Sequence, residues 1–208
     1  GSDDLLSLQI FDDDGTHSIA ASASLNPIST DVWTHVAATY DGSKTNSGIK
    51  LYINGTLATI TGADNSYTAM HNTTTNVGIG RLYADNTGYV ATGMIDEVVA
   101  FTGSLSAVEV SGLYNLGCPF DLSTFSAAAA TIVSWWRMGD KAIGTSPDYT
   151  IPDQISSNSG TMSSFQGDST SGVVADVVYD TAANARRDNC LWWDQRAERD
   201  NPVVSSSN

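Results

Sequence analysis

The chain has 208 residues, a net charge of −14 from 23 acidic against 9 basic residues, and an apolar fraction of 41%. That length fits one large domain with a short appendage or two small units, and the apolar share supports one sizeable core. Only 15% of residues are charged; the Ser, Thr, Gly, Asn and Asp that fill the rest suit short strands and tight turns better than long helices. A surface this negative repels phosphate backbones and argues against nucleic acid as a partner. No apolar run approaches the roughly 18 residues of a membrane span; the longest, Ala127 to Trp136, is interrupted by Thr131 and Ser134. The acids are nearly all Asp, with Glu only at Glu97, Glu109 and Glu198, as expected where turns and hard oxygen donors are wanted. From Arg186 onward four basic residues balance four acidic ones, so the whole negative charge lies in residues 1–185. Cys118 and Cys190 permit one disulfide and match no metal or redox spacing.

In chain order, Leu5 to Phe11 alternates as a strand, Asp12-Asp13-Asp14-Gly15 supplies a turn, and His17 to Ser22 returns to make a hairpin. Trp33 to Tyr40 is a strand with Val36 and Ala38 on one face and Trp33, His35 and Ala37 on the other. Ile49, Leu51 and Ile53 line the next strand. Asn54-Gly55 then marks a two-residue hairpin, because both turn positions need φ > 0, and Thr56 to Thr61 is the returning strand. Residues 62–75 read as a polar loop, Val77 to Arg81 as a strand, residues 83–92 as a second loop, and Met94 to Phe101 as an apolar strand. Ser106 caps one or two helical turns reaching Tyr114. Thr131 to Met138 is a strand with Trp135 and Trp136 on opposite faces. Residues 139–171 read as loop apart from a short strand around Met162; Val173 to Tyr179 is β-prone, and Ala182 to Arg199 is helical with Cys190, Trp193 and Ala197 on one face. An isolated helix of that kind needs a partner surface.

The run Trp33-Thr34-His35-Val36-Ala37-Ala38-Thr39-Tyr40-Asp41-Gly42, followed by Ile49-Lys50-Leu51-Tyr52-Ile53-Asn54-Gly55, resembles the strand signature of laminin-G-like domains. Asn76 to Gly80, Gly93 to Val98, Leu105-Ser106-Ala107 and Leu113-Tyr114-Asn115 continue the family's order, so the resemblance covers about residues 29–116. It implies an all-β antiparallel jelly-roll β-sandwich of the laminin-G/concanavalin A-like kind, here with a short C-terminal helix. The expected division is 1–122 as the jelly roll, 123–181 as a β-rich extension completing the sandwich, and 182–208 as a helical tail. The family's opening tryptophan-rich strand does not precede this region; Ser134 to Asp140, then Asp153 and Gly160-Thr161-Met162, look like that strand displaced to the far side. It either folds back onto the domain or begins another repeat, and open sheet edges favour fold-back. Leu191 to Pro202, with the Trp-Trp-Arg-Met-Gly-Asp run, also looks like parts of structural proteins of marine tailed phages, which implies a virion surface or extracellular location and contacts with neighbouring subunits through the tail.

This fold also hosts glycoside hydrolases, whose retaining members need two carboxylates about 5–5.5 Å apart. The Glu-x-Asp-x-x-Glu strand pattern is absent, and Asp96 and Glu97, as strand neighbours, would face opposite ways; His17, His35 and His71 have no nucleophile motif beside them. The expectation is therefore a non-catalytic lectin-like module used in adhesion to a cell-surface glycan, with a purely structural virion module as the alternative. Sugars stack on aromatic faces and bond to Asp, Asn and Arg, which selects Tyr67, Arg81, Tyr83, Asp85, Asn86 and Tyr89 as candidates. Calcium is the candidate cofactor, with Asp12, Asp14, Asp64 and Asn65 as oxygen donors in loops.

Overall fold

Period-two alternation sets the first sheet. Strands β1 (Ser7–Phe11) and β2 (Ser18–Ala23) form the expected hairpin, in register from Ser7 opposite Ser22 to Phe11 opposite Ser18. The other edge of β2 pairs with a strand at Ile60–Asn65, from Ser18 opposite Asn65 to Ala23 opposite Ile60. In this computed structural model the described residues are 5–12, 15–25, 28–30, 32–70, 76–80, 95–115, 122–137, 143–145 and 148–162. Strands β3 (Val36–Tyr40), β4 (Ile49–Ile53) and β5 (Thr56–Leu57) make a second antiparallel sheet with β4 in the middle. The strand at Ile60–Asn65 is β6.

One hydrophobic cluster joins these two sheets: Ile19, Ala21 and Ala23 of β2 with Ile49 and Leu51 of β4, Ala58 and Tyr67. Ile19, Ile49 and Leu51 are fully buried, and each contributes about 1.5–3 kcal/mol relative to an exposed side chain. Leu6, Leu8, Ile10, Ile53 and Ile60 pack around them.

The described residues fall into two compact units, one of 5–70 with 103–130, the other of 76–102 with 131–162. In the second, β7 (Val98–Phe101) pairs antiparallel with β8 (Ile132–Trp136), Val98 opposite Trp136 and Val99 opposite Trp135. The displaced tryptophan strand thus pairs with an earlier strand of the same chain. Strands β9 (Ile143–Thr145), β10 (Asp148–Ile151) and β11 (Gly160–Met162) form a small sheet with β10 central.

The α-helix among the described residues is α1 (Ala107–Tyr114), and its start obeys the expected cap. The Ser106 hydroxyl accepts the Glu109 N–H, while Glu109 accepts the Ser106 N–H at 2.7 Å through one carboxylate oxygen and the Ala128 N–H at 2.7 Å through the other. These donors hold the Glu109 carboxyl below its ordinary pKa. Val110 is buried, whereas Val108 is 82% exposed, because residues two apart on a helix point to nearly opposite sides.

Several expected elements are shifted. The strand expected from Trp33 begins at Val36, since the Asn54 side chain takes the His35 N–H that a ladder carbonyl would otherwise receive. The return from the Asn54-Gly55 turn is only Thr56–Leu57 on β4; the chain then crosses to pair with β2 through residues expected to be loop. Residues 76–80 are not in a strand, and Gly80 at φ 76° breaks the extended run. Glu97 at φ 53° likewise delays β7 to Val98. β9 and β10 lie where loop was expected, while the 173–179 strand and the 182–199 helix lie outside the described residues. Ser106→Ala should cost about 1 kcal/mol of unfolding free energy, measured by urea denaturation, with Ser106→Thr retaining most of the stability.

Candidate functional site

The β1–β2 turn builds the first candidate. One step beyond the Phe11–Ser18 pair, the Asp12 N–H donates to the His17 carbonyl at 3.0 Å, and the Gly15 N–H donates to the Asp12 carbonyl at 3.2 Å. Asp12 Oδ2 lies 3.1 Å from His17 Nδ1; the carboxylate is almost wholly buried and the imidazole is 41% exposed. The second oxygen, Asp12 Oδ1, is buried, and no donor among the described residues reaches it.

The end of β6 closes the same end of the sheet. Asn65 Nδ2 donates to the Thr16 carbonyl at 2.8 Å. Asp64 Oδ1 accepts the Asn46 N–H, which fastens the 3₁₀ turn Asn46–Gly48 over the strand. The Asn46 side chain fills the space above Gly62, where a Cβ would come within 2.6 Å of its amide oxygen.

Tyr67 follows β6 and is buried at 9% exposure within the core cluster. Burial pushes its hydroxyl pKa up, and Tyr40 and Asp12 add to the effect. Its ring therefore packs the core, and no open aromatic face is left for a sugar. The other five carbohydrate candidates, Arg81, Tyr83, Asp85, Asn86 and Tyr89, lie outside the described residues, as does Asp14. Asp12, Asp64 and Asn65 are brought to one end of the β1–β2–β6 sheet, but Asp64 and Asn65 are each turned to a protein partner. Among the described residues no group of three or more acidic, imidazole or thiol side chains is arranged to hold a metal ion. Of these side chains, Asp12 has a buried carboxylate oxygen that no described donor reaches, while Asp64 and Asn65 are exposed. His17 was missed as the partner of Asp12, although hairpin pairing alone puts those positions opposite each other.

The second unit carries a polar cluster that sequence patterning did not reveal. Trp135 Nε1 donates to Glu97 Oε2 at 2.6 Å, Arg137 Nε lies 3.7 Å from Glu97 Oε1, and the guanidinium sits 5.5 Å above the Trp135 ring. On the other side of β8, the Asp153 carboxylate accepts the Trp135 N–H at 2.9 Å, the Ile155 N–H at 3.0 Å and the Ser156 hydroxyl. Asn158 Nδ2 bridges the Ser134 and Ser156 hydroxyls, both at 3.0 Å, and the Asn158 main-chain carbonyl accepts the Trp136 Nε1–H at 2.8 Å. Burial alone would raise the Asp153 carboxyl, but the donors from Ser156, Trp135, Ile155 and Ser134 hold it well below the usual carboxylate range.

A family model described as the concanavalin A-like lectin/glucanases superfamily matches residues 1–111. No curated protein matches the sequence. Among solved structures the chain is similar to an S-layer domain-containing protein from Clostridium thermocellum, at 22% identity and a TM-score of 0.34. That match covers 54% of this chain and 64% of the other, less than two thirds of its length. Neither match names a phage protein.

Because the Asp153 pKa is depressed on folding, its stabilisation is present above the unfolded value of about 4 and is lost as the pH falls below it. Asp153→Asn should be less stable than the parent by about 2 kcal/mol near neutral pH, with the difference shrinking in urea unfolding as the pH is taken from 6 toward 3. A difference independent of pH would show that the carboxylate charge does not matter.

Proposed function

This chain belongs to the concanavalin A-like lectin/glucanases superfamily, and from that membership we propose that it is a non-catalytic carbohydrate-binding module acting outside the cell, at a surface. The observation that supports non-catalysis is the use made of the described carboxylates. Asp12 faces His17, Asp41 accepts the Ser43 N–H, Asp64 the Asn46 N–H, Asp96 the Glu97 N–H, and Glu97, Glu109 and Asp153 hold the partners given above. Glycosidic cleavage needs one carboxyl to hand a proton to the leaving oxygen and a second poised across the bond. Side chains already accepting backbone and indole donors are placed for architecture.

Sugar recognition falls to Tyr83 and Tyr89, with Arg81, Asp85 and Asn86 between and beside them. Their residue types support the assignment: flat amphipathic rings for stacking and short polar side chains for hydroxyls. Tyr67 is left out because it packs the core. The alternative, a virion assembly module, rests on the resemblance of Leu191 to Pro202 and the Trp-Trp-Arg-Met-Gly-Asp run, and on the displaced tryptophan strand.

On a glycan array, Tyr83→Ala combined with Tyr89→Ala should weaken binding by about tenfold or more, the equivalent of 1.4 kcal/mol. Unchanged binding by the double variant would place the sugar elsewhere, and no binding by the parent chain on any glycan would overturn the reading. We infer that any calcium contribution runs through Asp12, whose buried Oδ1 no described donor reaches. Added calcium should then raise the melting temperature of the parent and leave Asp12→Asn unmoved, with chelator reversing the gain. An unmoved parent removes calcium from the reading.

A further inference from the structure

The chain contains a single Asn-Gly dipeptide, Asn54-Gly55, and it occupies the exposed turn between β4 and β5. Both residues have positive φ, 49° and 73°. Glycine at 55 is required twice over: by that dihedral, and because a Cβ there would lie 2.9 Å from Tyr114 Cβ. The same missing side chain leaves the Gly55 backbone nitrogen unshielded beside the Asn54 carboxamide. In an open chain this is the arrangement in which the nitrogen attacks Asn54 Cγ. The new N–C bond closes a succinimide, ammonia leaves with the amide proton, and water reopens the ring to an aspartyl or isoaspartyl linkage.

Two hydrogen bonds to one residue restrain that chemistry. The His35 N–H donates to Asn54 Oδ1 at 3.0 Å, and the Asn54 N–H donates to the His35 carbonyl at 2.8 Å. Backbone and carboxamide are thus pinned together across the sheet to the residue preceding β3. Tyr114 meets both sides of this clasp, resting on Gly55 and lying 5.8 Å from the His35 ring between centroids.

We propose that Asn54-Gly55 is a latent deamidation site which the β3–β4–β5 sheet keeps closed, and which reacts when the hairpin opens from His35. The reaction is one-way. An isoaspartyl linkage adds a methylene to the main chain inside a two-residue turn, so the Ile53–Thr56 pair cannot close over it again. Each attack that ends in the isoaspartyl product converts a reversible fluctuation into a permanent loss of β5.

The test follows Asn54 by peptide mapping with isoaspartate detection, in mildly alkaline buffer, for the full chain native and in concentrated urea. Loss of Asn54 should be at least about tenfold slower in the native chain, as expected when reaction requires a disfavoured local opening. Equal rates would overturn the proposal. His35→Pro removes the N–H donor and should accelerate the reaction in a chain whose circular dichroism stays native; a native-like rate in that folded variant would show that the clasp is not the restraint. Should that variant fail to fold, the native-against-urea comparison decides alone, and Tyr114→Ala, which loosens the same turn from the helix side, should give an intermediate rate.

Discussion

Strand β2 is the element on which the first unit depends, because it is bonded on both edges and buried on one face. Its inner residues, Ile19, Ala21 and Ala23, are at most 1% exposed, while β1 and β6 take its main-chain groups on either side. Two of those inner side chains are methyl groups, which lets Ile49 and Leu51 of β4 approach closely and complete the cluster. A larger residue at Ala21 or Ala23 would force the two sheets of that unit apart.

Within each unit, polar side chains act as ties. Glu109 holds both the start of α1 and the segment at Ala128, Asp64 holds the 3₁₀ turn, and Asp153 gathers donors from β8 and the loop after it. A chain with so much negative charge therefore places much of its described carboxylate where it accepts N–H and O–H groups within the fold.

What was legible in sequence was local chemistry with one solution. Asp12 to Gly15 made a turn, Asn54-Gly55 made another, and Ser106 with Glu109 capped a helix. What was not legible was anything fixed by a distant partner. β6 has almost no inward side chains of its own, its residues beyond Ile60 being exposed, and it is a strand because β2 offers an edge. Tyr67 looks like a loop aromatic until β6 delivers it to the core. Glu97 sits in a run that reads as extended, yet its backbone turns left-handed where its carboxylate meets Trp135 and Arg137.

The partnership of β7 with β8 bears on the order in which this chain can be made. Residues 103–130, which lie with the first unit, come between those two strands. When Val98–Phe101 has been synthesised its partner Ile132–Trp136 does not yet exist, and the intervening residues, α1 among them, are made before the pair can close. A loop of that span closes late and slowly. Until then the nascent β7 presents an open edge, so the vulnerable interval in the life of this molecule is the wait for two tryptophans.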